Sequence, residues 1–263
     1  MKTPFHLVLM MFALHLVGYS QVQATFPGMV KIPAGNYRPF YIRKGEERVK
    51  VKSFYIDVYA VTNEQFLQFV KANPKWAKSK VSRLFADTNY LKNWAGDFSL
   101  GPDSDRIRNS PVTDVSWFAA DAYCKWVGKR LPTANEWEYM GLAERANRPK
   151  GDTMSLTTYI LNWYEKPMPK PLPSVGSTFE NKYGVWDAHG LIWEWVFDFN
   201  TAINGGDSRT NAEIDRNFSC AAGAGSTINK EDYASYMRYA FRQSLKANYT
   251  VSNLGFRCAK DVK

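Results

Sequence analysis

The chain has 263 residues, 45% of them hydrophobic and 15% aromatic, with 9 Trp; that is enough apolar surface for one large core and excludes a disordered or coiled-coil polymer. Its formal net charge is +9, but the Lys and Arg residues are scattered rather than gathered in a stripe. This reads as a solvated basic surface and argues against nucleic-acid binding.

The N-terminus has the form of an export signal. Lys2 supplies the positive start, residues 7–17 are mostly apolar with His15 interrupting, and Val22-Gln23-Ala24 resembles a cleavage site. The run is too short for an ordinary membrane span. The expectation is a signal peptide over 1–24 and one domain over 25–263, periplasmic or secreted, with no membrane span after cleavage. A retained anchor is the alternative, and no cysteine follows the run to carry a lipid.

Residues 29–35 read as a strand and turn, and 49–59 as a second strand with Phe54, Ile56 and Val58 as its apolar positions. Thr62-Asn63-Glu64-Gln65 has capping-box form and opens a helix with Phe66, Phe69 and Val70 at helical spacing, closed by Pro74. Residues 75–110 are polar, basic and turn-rich, which predicts a long surface excursion. Ser116 caps a second helix to about Gly128, with Phe118, Ala122 and Trp126 on one face. Thr133-Ala134-Asn135-Glu136 is another capping box and opens a third helix through Trp137 and Tyr139. Pro167, Pro169, Pro171 and Pro173 make an extended connection. Residues 185–199 are dense in aromatics, 200–217 form a polar loop, and 254–259 read as a closing strand. The mixture of short elements gives an α+β class.

Three cysteines are present: Cys124, Cys220 and Cys258. In an exported chain an odd count implies one disulfide and one free thiol, and spacing does not say which two pair. Beyond residue 24 the sole histidine is His189. A site of two histidines and a carboxylate, as in non-haem iron enzymes, therefore cannot be built from one mature chain.

Several segments, in order, resemble the formylglycine-generating or sulfatase-modifying-factor family. They are 30–35, Phe54-Tyr55-Ile56-Asp57 with Val61-Thr62-Asn63, and Pro111-Val112-Thr113-Asp114-Val115-Ser116-Trp117 leading to Ala122-Tyr123-Cys124-Lys125-Trp126. After these come Arg130-Leu131-Pro132-Thr133 with Glu136-Trp137-Glu138-Tyr139, Tyr183-Gly184-Val185-Trp186-Asp187 before Trp193-Glu194-Trp195, and Gly255-Phe256-Arg257-Cys258. The resemblance implies an elaborated C-type-lectin-like fold with little regular secondary structure. It also implies a disulfide between Cys124 and Cys258, leaving Cys220 as the free thiol.

The oxygen-dependent members of that family hold copper(I) with two late cysteines. The matching stretch here, 223–228 followed by Asp232 to Arg242 at the family's arginine-rich strand, contains none. Soft thiolates are what hold copper(I), so the site cannot form as in those enzymes. Copper at Cys220 with a methionine remains an alternative. Cys220 otherwise reads as a reactive thiol or a small buried hydrophobe. His189 reads as a proton-transfer group or single metal ligand, or as a hydrogen-bonded loop histidine.

By motif position, Trp195, Ser226, Arg238 and Arg242 fall near the family's substrate cleft; the competing reading makes the tryptophans core and the arginines ion-paired. Structural calcium is implied at Asn162-Trp163. A second calcium place loses an oxygen ligand because Leu191 stands where the family has Asn. Small exported members of this kind occur with copper-enzyme and denitrification systems. The resemblance therefore implies an accessory or maturation protein that binds an exported protein or peptide. The alternatives are a divergent cofactor-dependent oxidase or protein-modifying enzyme, and a lectin-like sugar or peptide module.

Overall fold

Short β-rich segments with fully buried neighbours lay down the frame. In the computed structural model, which describes residues 28–40, 48–146, 148, 150–200 and 230–262, β1 (Met29–Ile32) pairs antiparallel with β4 (Phe54–Asp57). β4 in turn pairs with β7 (Ala259–Asp261). All four residues of β4 are buried, as befits the central strand. A second sheet joins β2 (Gly35–Tyr37) to β3 (Val49–Val51), and a third sets β5 (Trp193–Glu194) parallel to β6 (Leu254–Gly255). The single strand expected over 49–59 is thus two strands in two sheets, broken at Lys52 and Ser53. The closing strand is likewise split, because residues 256–258 turn inward between β6 and β7. At Gly255 a Cβ would lie 2.4 Å from the Val112 carbonyl oxygen, so only glycine lets β6 pass there.

The helices are α1 (Asn63–Ala72), α2 (Ser104–Ile107), α3 (Trp117–Trp126), α4 (Ala134–Gly141), α5 (Leu156–Tyr164) and α6 (Lys230–Gln243). Both capping boxes form. The Thr62 hydroxyl accepts from the Gln65 backbone N–H while the Gln65 side chain accepts from that of Thr62, and Thr133 and Glu136 do the same. Ser116 accepts from the Ala119 N–H. Each such cap stabilises its helix by about 1 kcal/mol. Arg130 also grips Glu136 through two 2.7 Å hydrogen bonds and reaches Asp261 at 2.6 Å, tying the start of α4 to β7.

Phe66, Phe69, Tyr123 and Phe256 meet at ring separations between 5.2 and 6.1 Å in the main core. Beside them Cys124 is bonded to Cys258, with Cα atoms 5.7 Å apart and a sequence separation of 134. Closing so long a loop stabilises the fold by about 4–5 kcal/mol on the chain-entropy account.

Two expectations need correction. The stretch 75–110 is more than a surface excursion: it buries Trp76, Ala86, Tyr90, Leu91 and Trp94. The Trp94 indole donates to Asn63 Oδ1 at 2.8 Å. Its polar residues stay outside while every few positions an aromatic or aliphatic side chain dips into the core. The α3 face carrying Phe118, Ala122 and Trp126 is only half-buried, with Phe118 and Ala122 packed against the edge of the core. Ala119, Ala120, Tyr123 and Cys124 are the buried set, and Trp126 is 46% exposed. The disulfide fixes which side of α3 faces in.

Candidate functional site

Where α4, α5, α6 and the loop before β5 converge, the fold leaves an aromatic cavity. The capping box at Thr133 sets the phase of α4, so that Trp137, Glu138 and Gly141 face this junction. On α6, Arg238, Phe241 and Arg242 follow the i, i+3, i+4 spacing of one helical face. Asp232 to Arg242 is therefore helix here, not the arginine-rich strand implied by resemblance. Trp193 lies 4.6 Å from Phe241, 5.1 Å from Tyr164 and 5.6 Å from Trp163, ring centre to ring centre. The cavity lined by Trp137, Trp163, Trp193, His189, Arg238 and Arg242 spans about 280 Å³ counted out to its mouth. Its inner part has room for about one water molecule.

Charge in the cavity wall is unbalanced by design of its side chains. Arg238 is 2% exposed and donates from Nε to both Glu138 oxygens at 3.1 Å and from Nη2 to Oε2 at 2.8 Å. Its remaining donors meet Ala234 O and Ser235 Oγ. Arg242 donates to Glu138 Oε1 at 2.6 Å and lies 4.9 Å over the Trp137 ring. Burial alone would push the Glu138 carboxyl up, but the charges of Arg238 and Arg242 outweigh it and hold the group at about 2. The guanidinium of Arg238, opposed by burial, is raised by Glu138. Glu138 faces two guanidiniums, and Glu194, the other carboxylate in the lining, is matched by Arg257, so among the described residues the wall carries a surplus positive charge.

His189 is 1% exposed. Burial, and then the charge of Arg238, push its pKa down to about 3, so the ring is neutral. One ring nitrogen, Nε2, lies 2.9 Å from the Gly141 carbonyl, which only accepts; Nε2 therefore carries the proton. Nδ1 is left as a buried acceptor without a partner among the described residues. The ring edge packs on Trp137 at 5.3 Å. Gly141 allows that approach: a Cβ there would come within 3.1 Å of Trp137 and 3.4 Å of His189.

Beneath the cavity a second pair is fully buried. Arg257 grips Glu194 with three contacts of 2.7–3.0 Å and donates to the carbonyls of Asp57, Val58 and Trp186. The Trp137 indole donates to the same Glu194 at 2.7 Å.

Of the residues singled out in sequence, Arg238, Arg242, His189 and Trp163 are brought together. Trp195 is not with them: it is 1% exposed in the core and its indole donates to the Val115 carbonyl at 2.9 Å. Trp193, within β5, lines the cavity instead, while Trp195 lies just past the end of that strand in the core. Cys220, Ser226 and the stretch 223–228 lie outside the described residues. Asn162 lies on α5, its amide 3.8 Å from Met154 Sδ, and the next carbonyl, that of Trp163, accepts from Lys166 N. The described residues do not assemble three or more His, Cys, Asp or Glu side chains around one point. Glu138 was missed as a site residue. The i, i+4 arginines of α6 were the available signal, because two such cations on one buried face need a carboxylate.

Comparison with known proteins agrees with this architecture. Residues 15–262 match the family described as sulfatase-modifying factor enzyme 1-like domain. The formylglycine-generating enzyme of Streptomyces coelicolor is 29% identical over 89% of this chain and 90% of its own length. A bovine protein named inactive C-alpha-formylglycine-generating enzyme 2 is 27% identical over 88% of this chain and 87% of its own. Among solved structures, PvdO from Pseudomonas aeruginosa superposes with a TM-score of 0.50 at 19% identity, covering 91% of this chain and all of that one. At that identity the likeness speaks to fold alone.

Proposed function

Because the chain belongs to the sulfatase-modifying factor enzyme 1-like family, we propose that it is an exported accessory protein of that fold, without formylglycine-generating activity. In this reading residues 1–24 are removed on export, and the cavity holds part of an exported protein or peptide that the chain helps to mature. A copper-enzyme or denitrification system is the proposed setting.

The observation that carries the reading is the count of soft ligands. Cys124 and Cys258 are consumed by their bond, which leaves one thiol of the three in the sequence. Copper(I) as the active relatives are inferred to hold it needs two thiolates side by side. The residues present do not fit that ion, and no step is routed through it. His189 does not replace the pair, since it offers one imidazole nitrogen, Nδ1, and no thiolate. A relative whose own name calls it inactive is consistent with loss of the activity in this family.

What the cavity offers instead is binding. Indole and phenyl faces flank a wall with surplus positive charge, and a neutral imidazole nitrogen waits for a donor. Such a surface suits a peptide segment carrying an aromatic or apolar side chain next to an acidic one.

The test is an aerobic assay of the copper-loaded protein on a sulfatase-type cysteine peptide, read by mass, beside Cys220→Ser. The expected result is no formylglycine from either. Product that disappears in the variant would overturn the reading in favour of a divergent oxidase using Cys220. Product that persists would overturn it in favour of other residues. Native purification from the periplasm gives the second arm: a metal-free complex with one exported protein supports the accessory role, and stoichiometric copper or iron sinks it.

A further inference from the structure

The outward face of α3 does not stand alone. Trp126 is 46% exposed, Phe85 45% and Leu84 79%. They are mounted on one continuous stack of rings. Trp126 packs on Phe69 at 5.6 Å, Phe69 on Trp76 at 6.3 Å, Trp76 on Phe85 at 6.0 Å, and Phe85 on Phe118 at 5.3 Å. Phe69 and Trp76 are buried, so the exposed rings rest on the core. Phe118 and Trp126 are two turns apart on α3, about 12 Å along its axis. Leu84 and Phe85 form the tip of a tight turn in which Ser82 O accepts from the N–H groups of Phe85 and Ala86.

Charge says what covers this surface. Residues 71–86, which supply Trp76, Leu84 and Phe85, contain Lys71, Lys75, Lys78, Lys80 and Arg83 and not one carboxylate. Lys71, Lys75, Lys80 and Arg83 are exposed; Lys78 is engaged by the carbonyls of Lys92 and Trp94. Lys125, next to Trp126, keeps its side chain 68% exposed while pairing with Asp121. Protein interfaces favour Arg and are depleted in Lys, whereas anionic bilayers attract lysine clusters without needing a geometric fork. A protruding Leu-Phe tip, an exposed indole and a lysine-rich surround are the elements of an interfacial anchor.

We infer that the surface formed by the 80–86 turn and the outer face of α3 docks this protein peripherally on a membrane rich in anionic phospholipid. The rings enter the headgroup boundary and the ammonium groups meet phosphate. The contact is interfacial, since no helix among the described residues is long and apolar enough to cross a bilayer. The surface involves none of the cavity residues, so the inference stands or falls independently of the accessory role.

The experiment is flotation of the full chain with vesicles of phosphatidylglycerol and phosphatidylcholine in equal amounts, against phosphatidylcholine alone. Any contribution from the apolar run at 7–17 is common to parent and variants, so the reading is the anionic-to-neutral ratio and its change on substitution. We expect the ratio to be about tenfold at low salt and to fall as salt shortens the screening length. Leu84→Ser with Trp126→Gln, both at exposed positions, should lower binding to anionic vesicles about tenfold. Lys75→Gln with Lys80→Gln and Arg83→Gln should bring the ratio near one. Far-ultraviolet circular dichroism and a urea unfolding midpoint close to the parent's certify that each variant is folded. Equal flotation on both vesicle types, or variants that float like the parent, would overturn the inference. So would a concentration-dependent dimer, or a cross-linked acidic protein, formed without vesicles and lost in the Leu84/Trp126 variant; these would assign the surface to a second copy or to a protein partner.

Discussion

Two buried arginine–glutamate clusters lie one above the other in this fold, and they are built to different rules. In the lower one Arg257 and Glu194 are both 0% exposed and match one charge to one charge. Every remaining donor of the guanidinium meets a backbone carbonyl, from two segments that are far apart in sequence, 57–58 and 186. In the upper one Glu138 answers two arginines, and the outer of these, Arg242, is 11% exposed beside the cavity. The lower cluster is a neutral clamp that pins loops together. The upper one carries charge to spare at a surface that a ligand can reach. Similar residues thus serve as support in one place and, under the proposed function, as a recognition surface in the other, and the difference lies in stoichiometry.

The sharpest way to break the comparison is Arg257→Met. It leaves Glu194 buried without a counter-charge and three carbonyls without a donor, and should cost about 5 kcal/mol, measured by urea unfolding. Glu138→Gln should cost less, about 3 kcal/mol, because the amide still offers Arg238 one oxygen. If the two losses were equal, the distinction between clamp and recognition cluster would fail.

Acid gives the next effect. The folded pKa of His189, about 3, lies below its ordinary 6.5. Between those values the unfolded chain binds a proton that the folded chain refuses. Stability from this group is therefore complete above pH 6.5 and is lost as pH falls toward 3, by at most about 1.4 kcal/mol per unit. Glu138, held at about 2 against an ordinary 4.5, has the same sign but acts only below pH 4.5. Asp114, pushed up to about 6 by burial, works in the opposite direction over part of the range. The measurement is accordingly a difference: between pH 6.5 and 4.5 the parent should lose stability faster than His189→Gln. Parallel curves would show that His189 is not held neutral.

The smallest effect should come from Arg242→Met, at about 1 kcal/mol, since Arg238 alone still satisfies Glu138. Its value is as a control: any loss of peptide or partner binding in this variant would exceed its loss of stability. A stability loss as large as that of Glu138→Gln would place Arg242 in the clamp class instead.

Local chemistry made much of the fold readable. The spacing from the Thr62 hydroxyl to the Gln65 carboxamide, and from the Thr133 hydroxyl to the Glu136 carboxylate, placed two helix starts, because a capping box is satisfied within four residues. Resemblance identified the family over nearly the whole mature chain. What stayed hidden depended on partners distant in sequence. Val49 to Val51 and Phe54 to Asp57 look like one strand until β2 and β1 claim them for separate sheets. The outward rotation of α3 is set by Cys258, far along the chain. Trp193 and Trp195 are indistinguishable as letters, and only the packing of distant segments around β5 puts one at the cavity and the other in the core. Glu138 was hidden for the same reason, since its role exists only once α6 has docked.

The position of β7 in the sheet has a consequence for the order in which the molecule can be made. β4, buried on every residue, has β1 on one side from early in synthesis, but its other edge waits for residues 259–261. Cys124 waits for a partner 134 positions later. A ribosome therefore emits a long polypeptide whose central strand is open and whose staple is unclosed until nearly all of the described sequence exists. Such a chain gains little from folding piece by piece, and its half-made form exposes a sticky edge. For this topology the folding step belongs after elongation, and a holding factor that covers Phe54 to Asp57 during that interval would raise the yield of native protein.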